Sequence, residues 1–274
     1  MKNKAIITTI FLLVLTLFPF ENISANEIDE VRKPLENYLK NHIKGDSEQL
    51  GKSMHSVGRL TYIRDGKYTA VDFPKYLTGW KMRDKEVQAQ TSSFIESIEI
   101  TGNVAVAKLI LRYPAVHFTD YMTLHKIDGE WKITNKVAYS VRDPKNNSPE
   151  FLNIEDAKVP LENFIRSLET NDVELIKKAF YTQGEVMYLY DKKLNSIPFD
   201  KYIADFPKKP AADEAQRKRR IESINITGNV GIGKLVLEYP DVKFTDYMTI
   251  MKIGDEWKIT NKASNIELPK TEKN

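Results

Sequence analysis

The chain has 274 residues, with 41 Lys or Arg against 38 Asp or Glu, which leaves a formal net charge of +3. This balance disfavours nucleic-acid and anionic-membrane partners, because both select a strongly basic surface. The chain also has no cysteine, which excludes disulfides, thiolate metal sites and cysteine nucleophiles. We predict a globular protein held together by packing, with no metal site and no cofactor.

The first 25 residues are typical of a secretory signal peptide. Lys2 and Lys4 give a positive start, residues 5–18 form an apolar run, and Ser24 and Ala25 are small residues suited to cleavage. The run is shorter than the roughly 20 residues that span a bilayer. We therefore expect a secreted or periplasmic protein, cleaved near Ala25 and without a membrane span afterwards. An uncleaved N-terminal anchor is the alternative.

A long internal repeat organises the rest of the chain. The letters FTDYMT at 118–123 return at 244–249, and the letters WKITNK at 131–136 return at 257–262. Both copies are offset by 126 residues. A repeat of this length matches an ordinary small domain, so the repeat predicts two domains in tandem.

The repeat also sets the predicted domain boundaries. We name residues 26–140 unit one and residues 153–266 unit two. Residues 141–152 between them form the predicted linker, because the stretch 142–149 has polar side chains and two prolines. Residues 267–274 form a charged tail.

Each unit is predicted to begin with two helices. Apolar residues recur at helical spacing at the start of both units, which indicates an amphipathic helix. Gly45 and Asn171 follow these helices, and Gly and Asn are the residues that best tolerate a left-handed cap. Asp46 and Asp172 come next and suit the N-cap of a second, short helix.

Strand signals follow in both units. In unit one, two β-rich runs flank Asp65–Gly66 and predict a hairpin, and a short helix is expected near residues 74–78. Four longer strands are predicted at 94–100, 104–113, 116–127 and 130–137. Their loops are too short for crossovers, so we expect antiparallel neighbours. The predicted class is α+β, with a curved antiparallel sheet wrapped on the N-terminal helices of each unit.

This order of elements, with the ending FTDYMTLHKIDGEWKITNKV at 118–137, resembles the nuclear transport factor 2-like superfamily, whose fold is cystatin-like. Within it, the ending is similar to the lumazine-binding and SnoaL-like branch, which has a DYxTLxKxxGxWKIxNK-type signature. The resemblance covers both units. It implies two cone-shaped domains, each with a pocket between the helices and the concave sheet face. It also implies that the units pair through their outer sheet faces about a pseudo-two-fold axis.

Aromatic residues at four positions kept in both units are the candidate pocket walls. They are Tyr62 with Tyr188, Trp80 with Phe206, Tyr113 with Tyr239, and Tyr121 with Tyr247. Flat aromatic walls suit a small planar or hydrophobic ligand. Packing in a hydrophobic core is the alternative for each of these residues.

The resemblance to a superfamily that includes ketosteroid isomerases, scytalone dehydratases and SnoaL-like cyclases makes Asp120 a candidate general base. Asp120 and Tyr121 cannot both enter one pocket, because adjacent strand residues point to opposite faces. All four histidines lie in unit one, at positions 42, 55, 117 and 125. Of these we favour His55 as the second catalytic candidate, and a surface histidine is the alternative.

The polar residues shared by both units form no nucleophile, acid–base or metal set. This favours a non-catalytic, secreted or periplasmic protein that binds a small molecule or acts as a scaffold. One alternative is a cofactor-independent isomerase, dehydratase or cyclase that uses Asp120 or His55. The other is a protein–protein interaction module in an envelope assembly.

Overall fold

A computed structural model describes residues 25–143, 153–207 and 209–268. The predicted signal peptide apart from Ala25, and most of the predicted linker and tail, lie outside these ranges. Within them, none of the helices combines the length and the apolar character needed to cross a bilayer. The two units share one order of elements, except that unit two has a 3-10 turn before its third strand where unit one has its fourth helix.

Unit one contains four helices and six strands. The helices are α1 Ala25–Lys44, α2 Ser47–Gly51, α3 Phe73–Thr78 and α4 Lys85–Ala89. The strands are β1 Met54–Arg64, β2 Lys67–Asp72, β3 Ser92–Thr101, β4 Val104–Tyr113, β5 Val116–Ile127 and β6 Glu130–Arg142. The predicted hairpin, the short helix and the four longer strands are therefore all present. Helix α4 was not predicted.

Unit two repeats this plan. Its helices are α5 Ile154–Thr170, α6 Val173–Ala179 and α7 Phe199–Ala204, with a 3-10 turn at Glu214–Gln216. Its strands are β7 Phe180–Tyr190, β8 Lys193–Pro198, β9 Lys218–Thr227, β10 Val230–Tyr239, β11 Val242–Ile253 and β12 Glu256–Glu267.

The predicted helix ends are confirmed at four residues. Gly45 and Asn171 have φ angles of +77° and +54°, which is the left-handed region that ends helices. Asp46 accepts a hydrogen bond from the backbone N–H of Gln49, and Asp172 caps α6 in the same way. These caps satisfy N–H groups that the first turn of a helix leaves unpaired.

The two sheets are mixed rather than purely antiparallel. Their strand orders are β2-β1-β6-β5-β4-β3 and β8-β7-β12-β11-β10-β9. Strands joined by short loops are antiparallel, as predicted, but β1 runs parallel to β6 and β7 runs parallel to β12. Loop length could not reveal this pairing, because the paired strands are separated by most of a unit.

The core of each unit lies between its first helix and the concave face of its sheet. In unit one, Val31, Leu35 and Tyr38 of α1 are fully buried against Leu109 and Met122 of the sheet. Burial of one such side chain contributes about 1.5–3 kcal/mol. This stripe of α1 therefore fixes the helix across the sheet and forms the floor of the cone.

The outer faces of the two sheets pack against each other. Val104 and Val106 of unit one cluster with Tyr247 and Ala263 of unit two, and a second cluster joins Tyr121 to Val230 and Met251. Sheets packed in this way bury the side chains that alternate away from each cone.

Two mirrored contacts define the pseudo-two-fold axis. The β3–β4 turn at Gly102 packs on the side chain of Asn265, and the β9–β10 turn at Gly228 packs on the ring of Tyr139. Gly102 and Gly228 occupy one repeat position, and Tyr139 and Asn265 occupy another. Each unit therefore offers the same turn to the same place on its neighbour.

An ion pair also joins the units. The guanidinium of Arg59 contacts the carboxylate of Glu185, and these two residues occupy the same repeat position. Arg59 also donates to the carbonyl of Gln183 at 3.4 Å. Beside this pair, the rings of Tyr68 and Tyr181 lie 4.6 Å apart between centroids.

Candidate functional site

Unit one has an open cavity of about 860 Å³ between its helices and the concave sheet face. Its walls include the rings of Tyr62, Tyr76, Trp80 and Phe118 together with His42 and Lys136. The charged side chains of Arg64, Asp65, Arg83 and Arg142 also line it. The cavity wall thus combines aromatic and aliphatic side chains with more basic than acidic residues.

An aspartate–lysine pair lies at the wall of this cavity. The β5–β6 register sets Asp120 opposite Ala138 and Met122 opposite Lys136, so Asp120 and Lys136 are diagonal neighbours on the concave face. Lys136 Nζ donates to Asp120 Oδ1 at 2.6 Å. Tyr38 Oη donates to Asp120 Oδ2 at 3.3 Å. Both carboxylate oxygens therefore accept hydrogen bonds from buried partners.

Burial shifts the titration of this pair in opposite directions. Burial raises the pKa of Asp120, against the lowering effect of the Lys136 ammonium. Burial also lowers the pKa of Lys136, against the raising effect of Asp120. Both shifts favour transfer of a proton from the ammonium to the carboxylate. Burial also raises the pKa of Tyr38, which keeps its phenol a hydrogen-bond donor.

His42 forms the second polar group of the site. Tyr113 Oη donates to the His42 carbonyl at 3.0 Å, and His42 Nδ1 lies 2.6 Å from the same Oη. Because the phenol has only one proton, this geometry assigns the ring proton to Nδ1 and leaves Nε2 as the basic nitrogen. Burial, with Lys136 and Arg83 nearby, lowers the pKa of His42 well below its usual value. The ring is therefore neutral near pH 7.

Arg83 closes this side of the cavity. Its guanidinium donates to the carbonyl of His42 and lies 4.6 Å from the Trp80 ring centroid and 4.9 Å from that of Tyr113. Cation–π contacts of this kind hold a guanidinium beside aromatic walls without neutralising it. Arg83 therefore contributes positive charge to a largely apolar site.

The corresponding region of unit two is packed differently. Phe164 and Leu168 replace Tyr38 and His42, and the buried rings of Phe180 and Phe199 stack 4.2 Å apart. A cavity of about 230 Å³ in unit two lies at the rim, against Tyr239, Pro240, Val242, Lys243, Glu267 and Leu268. Tyr38 and His42 of unit one thus have apolar counterparts in unit two.

The aspartate–lysine pair itself is kept in unit two, but with an additional partner. Lys262 Nζ lies 2.8 Å from Asp246 Oδ1 and also donates to Ser264 Oγ. Ser264 in turn donates to Asp246 Oδ1 at 2.6 Å. Unit one has Ala138 at the position of Ser264, and Ala138 lines its cavity.

The predicted pocket residues fall into three groups. Tyr62 and Trp80 line the unit-one cavity, and Tyr113 is buried beside it through its bonds to His42. Phe206 and Tyr188 belong to the core of unit two.

The third group lies away from both cones' centres. Tyr239 borders the rim cavity of unit two. Tyr121 lies between the sheets instead of in a pocket, where its phenol contacts Asn225 and Thr227. Tyr247 likewise lies between the sheets, with its phenol 2.8 Å from Thr101 Oγ1. The alternation of strand residues explains this, because Asp120 and Asp246 take the inward positions next to them.

The two predicted catalytic residues are not brought together. Lys136 lies between Asp120 and the cavity, and both carboxylate oxygens of Asp120 accept hydrogen bonds from Lys136 and Tyr38. His55 is half-buried at the start of β1, where its Nδ1 accepts from the backbone N–H of Val57 at 3.4 Å. His55 is not one of the residues that line the cavity. Sequence reasoning missed Lys136, His42 and Arg83 as site residues.

Metal ligands are not clustered in the parts of the chain that the structure describes. Within those ranges, no group of three or more His, Asp or Glu side chains is arranged to hold a metal ion.

The fold and the cone cavity define a tandem nuclear transport factor 2-like protein. The chain belongs to the family described as "Putative lumazine-binding", whose model matches residues 26–139 and again residues 153–264. Each match covers most of one unit.

Several known proteins resemble one unit of this chain. An aldolase named FrzH from Cladobotryum sp is 23% identical over 123 residues, which is 44% of this chain and 96% of that protein. A solved NTF2-like protein of unknown function from Methylobacillus flagellatus is 22% identical, covers 44% of this chain and 96% of its own, and has a TM-score of 0.39. A ketosteroid isomerase-like protein from Erwinia carotovora is 12% identical, covers 43% and 98%, and has a TM-score of 0.34.

Proposed function

We propose that this protein binds a small molecule in the cavity of unit one. The observation that carries the proposal is the cavity of about 860 Å³, a volume within the range of about 300–1,000 Å³ that is typical of ligand sites. Aromatic side chains and several polar groups line the cavity, and ligand sites usually have this composition. The name of the family also supports binding of a small ligand.

The walls indicate the chemistry of the ligand. The rings of Tyr62, Trp80 and Phe118 favour a flat, unsaturated body that can stack or pack against them. Arg64 and Arg83 line the same space together with one acidic residue, Asp65, so the balance of charge favours an anionic group. The ligand we propose is a small planar molecule with a carboxylate or a similar anion.

Binding of this ligand is proposed to take place outside the cytoplasm. The positive start, apolar run and small residues of the first 25 positions support secretion to the periplasm or the exterior. In unit two, the region equivalent to the cavity has Phe164 and Leu168 in a packed core. We propose that unit two supports unit one through the interface between the sheets.

The experiment is native mass spectrometry of the protein purified gently from its own host. We expect a bound mass that is released on denaturation. Tyr62→Leu removes an aromatic wall of the cavity and should abolish the bound mass. Tyr188→Leu changes the same repeat position in unit two and should retain it. An unliganded wild type, or equal retention by both variants, would contradict the proposal.

A second candidate function is catalysis without a cofactor, as an isomerase, dehydratase or cyclase. The observation that favours it is the buried Asp120–Lys136 pair, whose pKa values burial shifts towards each other, since such shifts accompany acid–base roles. Exchange of ligand protons for deuterium in D2O, followed by NMR, tests it. Exchange accelerated by the wild-type protein would support catalysis, and a ligand recovered without deuterium would exclude it.

A further inference from the structure

We propose that Lys136 is a nucleophile that captures carbonyl compounds in the unit-one cavity as an imine. The inference rests on the proposed function, because the carbonyl compound must first enter the cavity as a ligand. It narrows the ligand class from a planar anion to a planar anion that carries an aldehyde or a ketone.

The position of Lys136 is the first observation. Its side chain is 3% exposed, and the residue lines the cavity. A small molecule that fills the cavity therefore lies against this side chain. The burial of Lys136 keeps bulk water from its amine, which favours imine formation, because water is a product of that reaction.

The comparison with unit two is the second observation. Lys262 occupies the same repeat position and contacts Asp246 in the same way. The hydroxyl of Ser264 lies between them, accepting from Lys262 and donating to Asp246. In unit one this hydroxyl is replaced by the methyl group of Ala138, which faces the cavity. The amine of Lys262 thus has an extra hydroxyl partner in unit two, whereas Lys136 and the Ala138 methyl group both line the cavity of unit one.

The state of the amine is the third observation. Only a neutral amine attacks a carbonyl carbon, and burial lowers the pKa of Lys136. Asp120, whose pKa burial raises, lies 2.6 Å from Nζ and accepts the proton that the ammonium loses. The hydrogen bond from Tyr38 to the second carboxylate oxygen holds Asp120 in place. Both shifts favour the form of the pair in which a neutral amine lies beside a carboxylic acid.

The covalent step balances with these groups alone. Neutral Lys136 Nζ forms a bond to the carbonyl carbon, and a proton moves from nitrogen to the carbonyl oxygen to give a carbinolamine. The protonated Asp120 then gives its proton to the hydroxyl, the carbon–oxygen bond breaks, and water leaves. The products are a protonated imine on Lys136, an Asp120 carboxylate and one water molecule. The new cation remains beside the carboxylate that stabilises it.

The experiment uses 4-carboxybenzaldehyde, a planar anionic aldehyde, with sodium cyanoborohydride to reduce any imine to a stable amine. The full-length mature protein is treated at pH 6.5, and peptide mass mapping gives the labelling rate of each lysine. Because burial lowers the pKa of Lys136, a larger fraction of its amine is neutral at this pH. We expect Lys136 to be labelled several-fold faster than Lys262 or any exposed lysine.

Two matched variants make the result specific. Ala138→Ser gives unit one the hydroxyl that ties the amine in unit two, and we expect it to slow the labelling of Lys136 at least threefold. Ser264→Ala removes that hydroxyl from unit two, where a packed core adjoins the amine, and should leave the labelling of Lys136 unchanged. Lys136→Met should abolish label at position 136.

Each outcome separates the imine from the binding function. Labelling of Lys136 no faster than that of Lys262 would overturn the imine, as would an Ala138→Ser protein that reacts at the wild-type rate. If a natural ligand is retained in native mass spectrometry while Lys136 is labelled slowly, binding stands and the imine fails. If the wild-type protein retains no ligand but Lys136 is labelled rapidly, the proposed retention of a natural ligand fails and the reactivity of Lys136 stands.

Discussion

The aspartate–lysine pair is the residue-scale feature that both units share. All four residues are buried: Asp120 with Lys136, and Asp246 with Lys262. Each pair links the last two strands of its unit in chain order. Replacing one partner of a buried pair strands the other charge in the interior, and this costs more than the pair itself contributes. Neither partner can therefore be replaced alone without a loss of stability, which agrees with the identical sequences around the pair in the two units.

Asp246→Asn should lower the free energy of unfolding by about 3 kcal/mol, because Lys262 then remains buried without its counter-ion. The double variant Asp246→Asn with Lys262→Met should recover a large part of this loss, since it removes both charges and keeps the volume. Urea denaturation at pH 7.5 measures both values. Equal stability of the single and double variants would contradict the argument.

His125 makes unit one more sensitive to acid than unit two. Burial lowers the pKa of His125 to about 3, and its Nδ1 lies 2.7 Å from Thr134 Oγ1. Met251 occupies the equivalent position of unit two. The folded state thus binds fewer protons than the unfolded state between about pH 3 and 6.5. The stability due to neutral His125 is complete above pH 6.5 and is lost as the pH falls below it.

His125→Met should remove this acid sensitivity. At pH 5 the wild-type protein loses about 2 kcal/mol through His125 relative to pH 7.5, and the variant does not. The free energy of unfolding, measured in urea at both pH values, should therefore fall less in the variant by about this amount. An identical fall in both proteins would show that His125 does not carry the pH dependence.

At the scale of elements, the sequence predicted the strands more completely than the site. The bounds of β4 and β5 agree with the predicted 104–113 and 116–127, because Gly, Asn and Pro mark their turns. The parallel pairing of β1 with β6 was missed, since it joins residues distant in sequence. Two candidate pocket residues, Tyr62 and Trp80, line the cavity.

Lys136 was missed for a physical reason. If the strands paired without a bulge from the β5–β6 turn onward, Lys136 would lie opposite Tyr121 and its side chain would point away from Asp120. The structure has a register shift between Thr123 and Leu124, so Thr134 forms a bulge and every later residue of β6 changes face. A one-residue bulge of this kind reverses the inward and outward sets of a strand. No residue in the sequence indicates it.

The turns that reach across the interface are elements in which only glycine fits. Gly102 and Gly228 combine φ angles of +53° and +52° with side chains of the opposite unit directly where a Cβ would lie. Both the backbone conformation and the close approach therefore exclude other residues.

Gly102→Ala and Gly228→Ala should each destabilise the protein by about 2–4 kcal/mol, the sum of backbone strain and overlap with the opposite unit. Gly129→Ala and Gly254→Ala are the matched controls. They have φ angles of +85° and +61° but open space around the added Cβ, so they carry only the strain. Chemical denaturation of the four variants compares them. Equal losses in all four would show that the turns do not bear on the interface.

At the scale of the whole molecule, Arg59 and Glu185 lie where the pseudo-two-fold axis brings equivalent positions together. Their contact is partly buried, with side-chain exposures of 23% and 9%. Burial raises the pKa of Glu185 and the guanidinium of Arg59 opposes this shift. Opposite charges at one repeat position are an arrangement that only two different units can provide.

Glu185→Arg should lower the free energy of unfolding by about 2 kcal/mol or more, because it places two guanidinium groups in contact at the interface. The exchange Arg59→Glu with Glu185→Arg restores opposite charges and should recover most of the loss. Denaturation of the wild type, the single variants and the exchanged double variant forms a complete cycle. A double variant as unstable as the sum of its single changes would rule out the pairing.

The contact between Arg59 and Glu185 also bears on how such a chain evolves. In a dimer of identical subunits, any substitution on the symmetry axis meets its own copy, so a charge there repels itself. Once two copies are encoded in tandem, each half can change alone, and a charge in one half can be answered in the other. After both halves have acquired opposite charges at this position, two copies of either half alone would place like charges in contact. A dimer of identical subunits could then form again only if one of the charges were reversed or removed. The same independence leaves one half free to keep an open cone while the other closes.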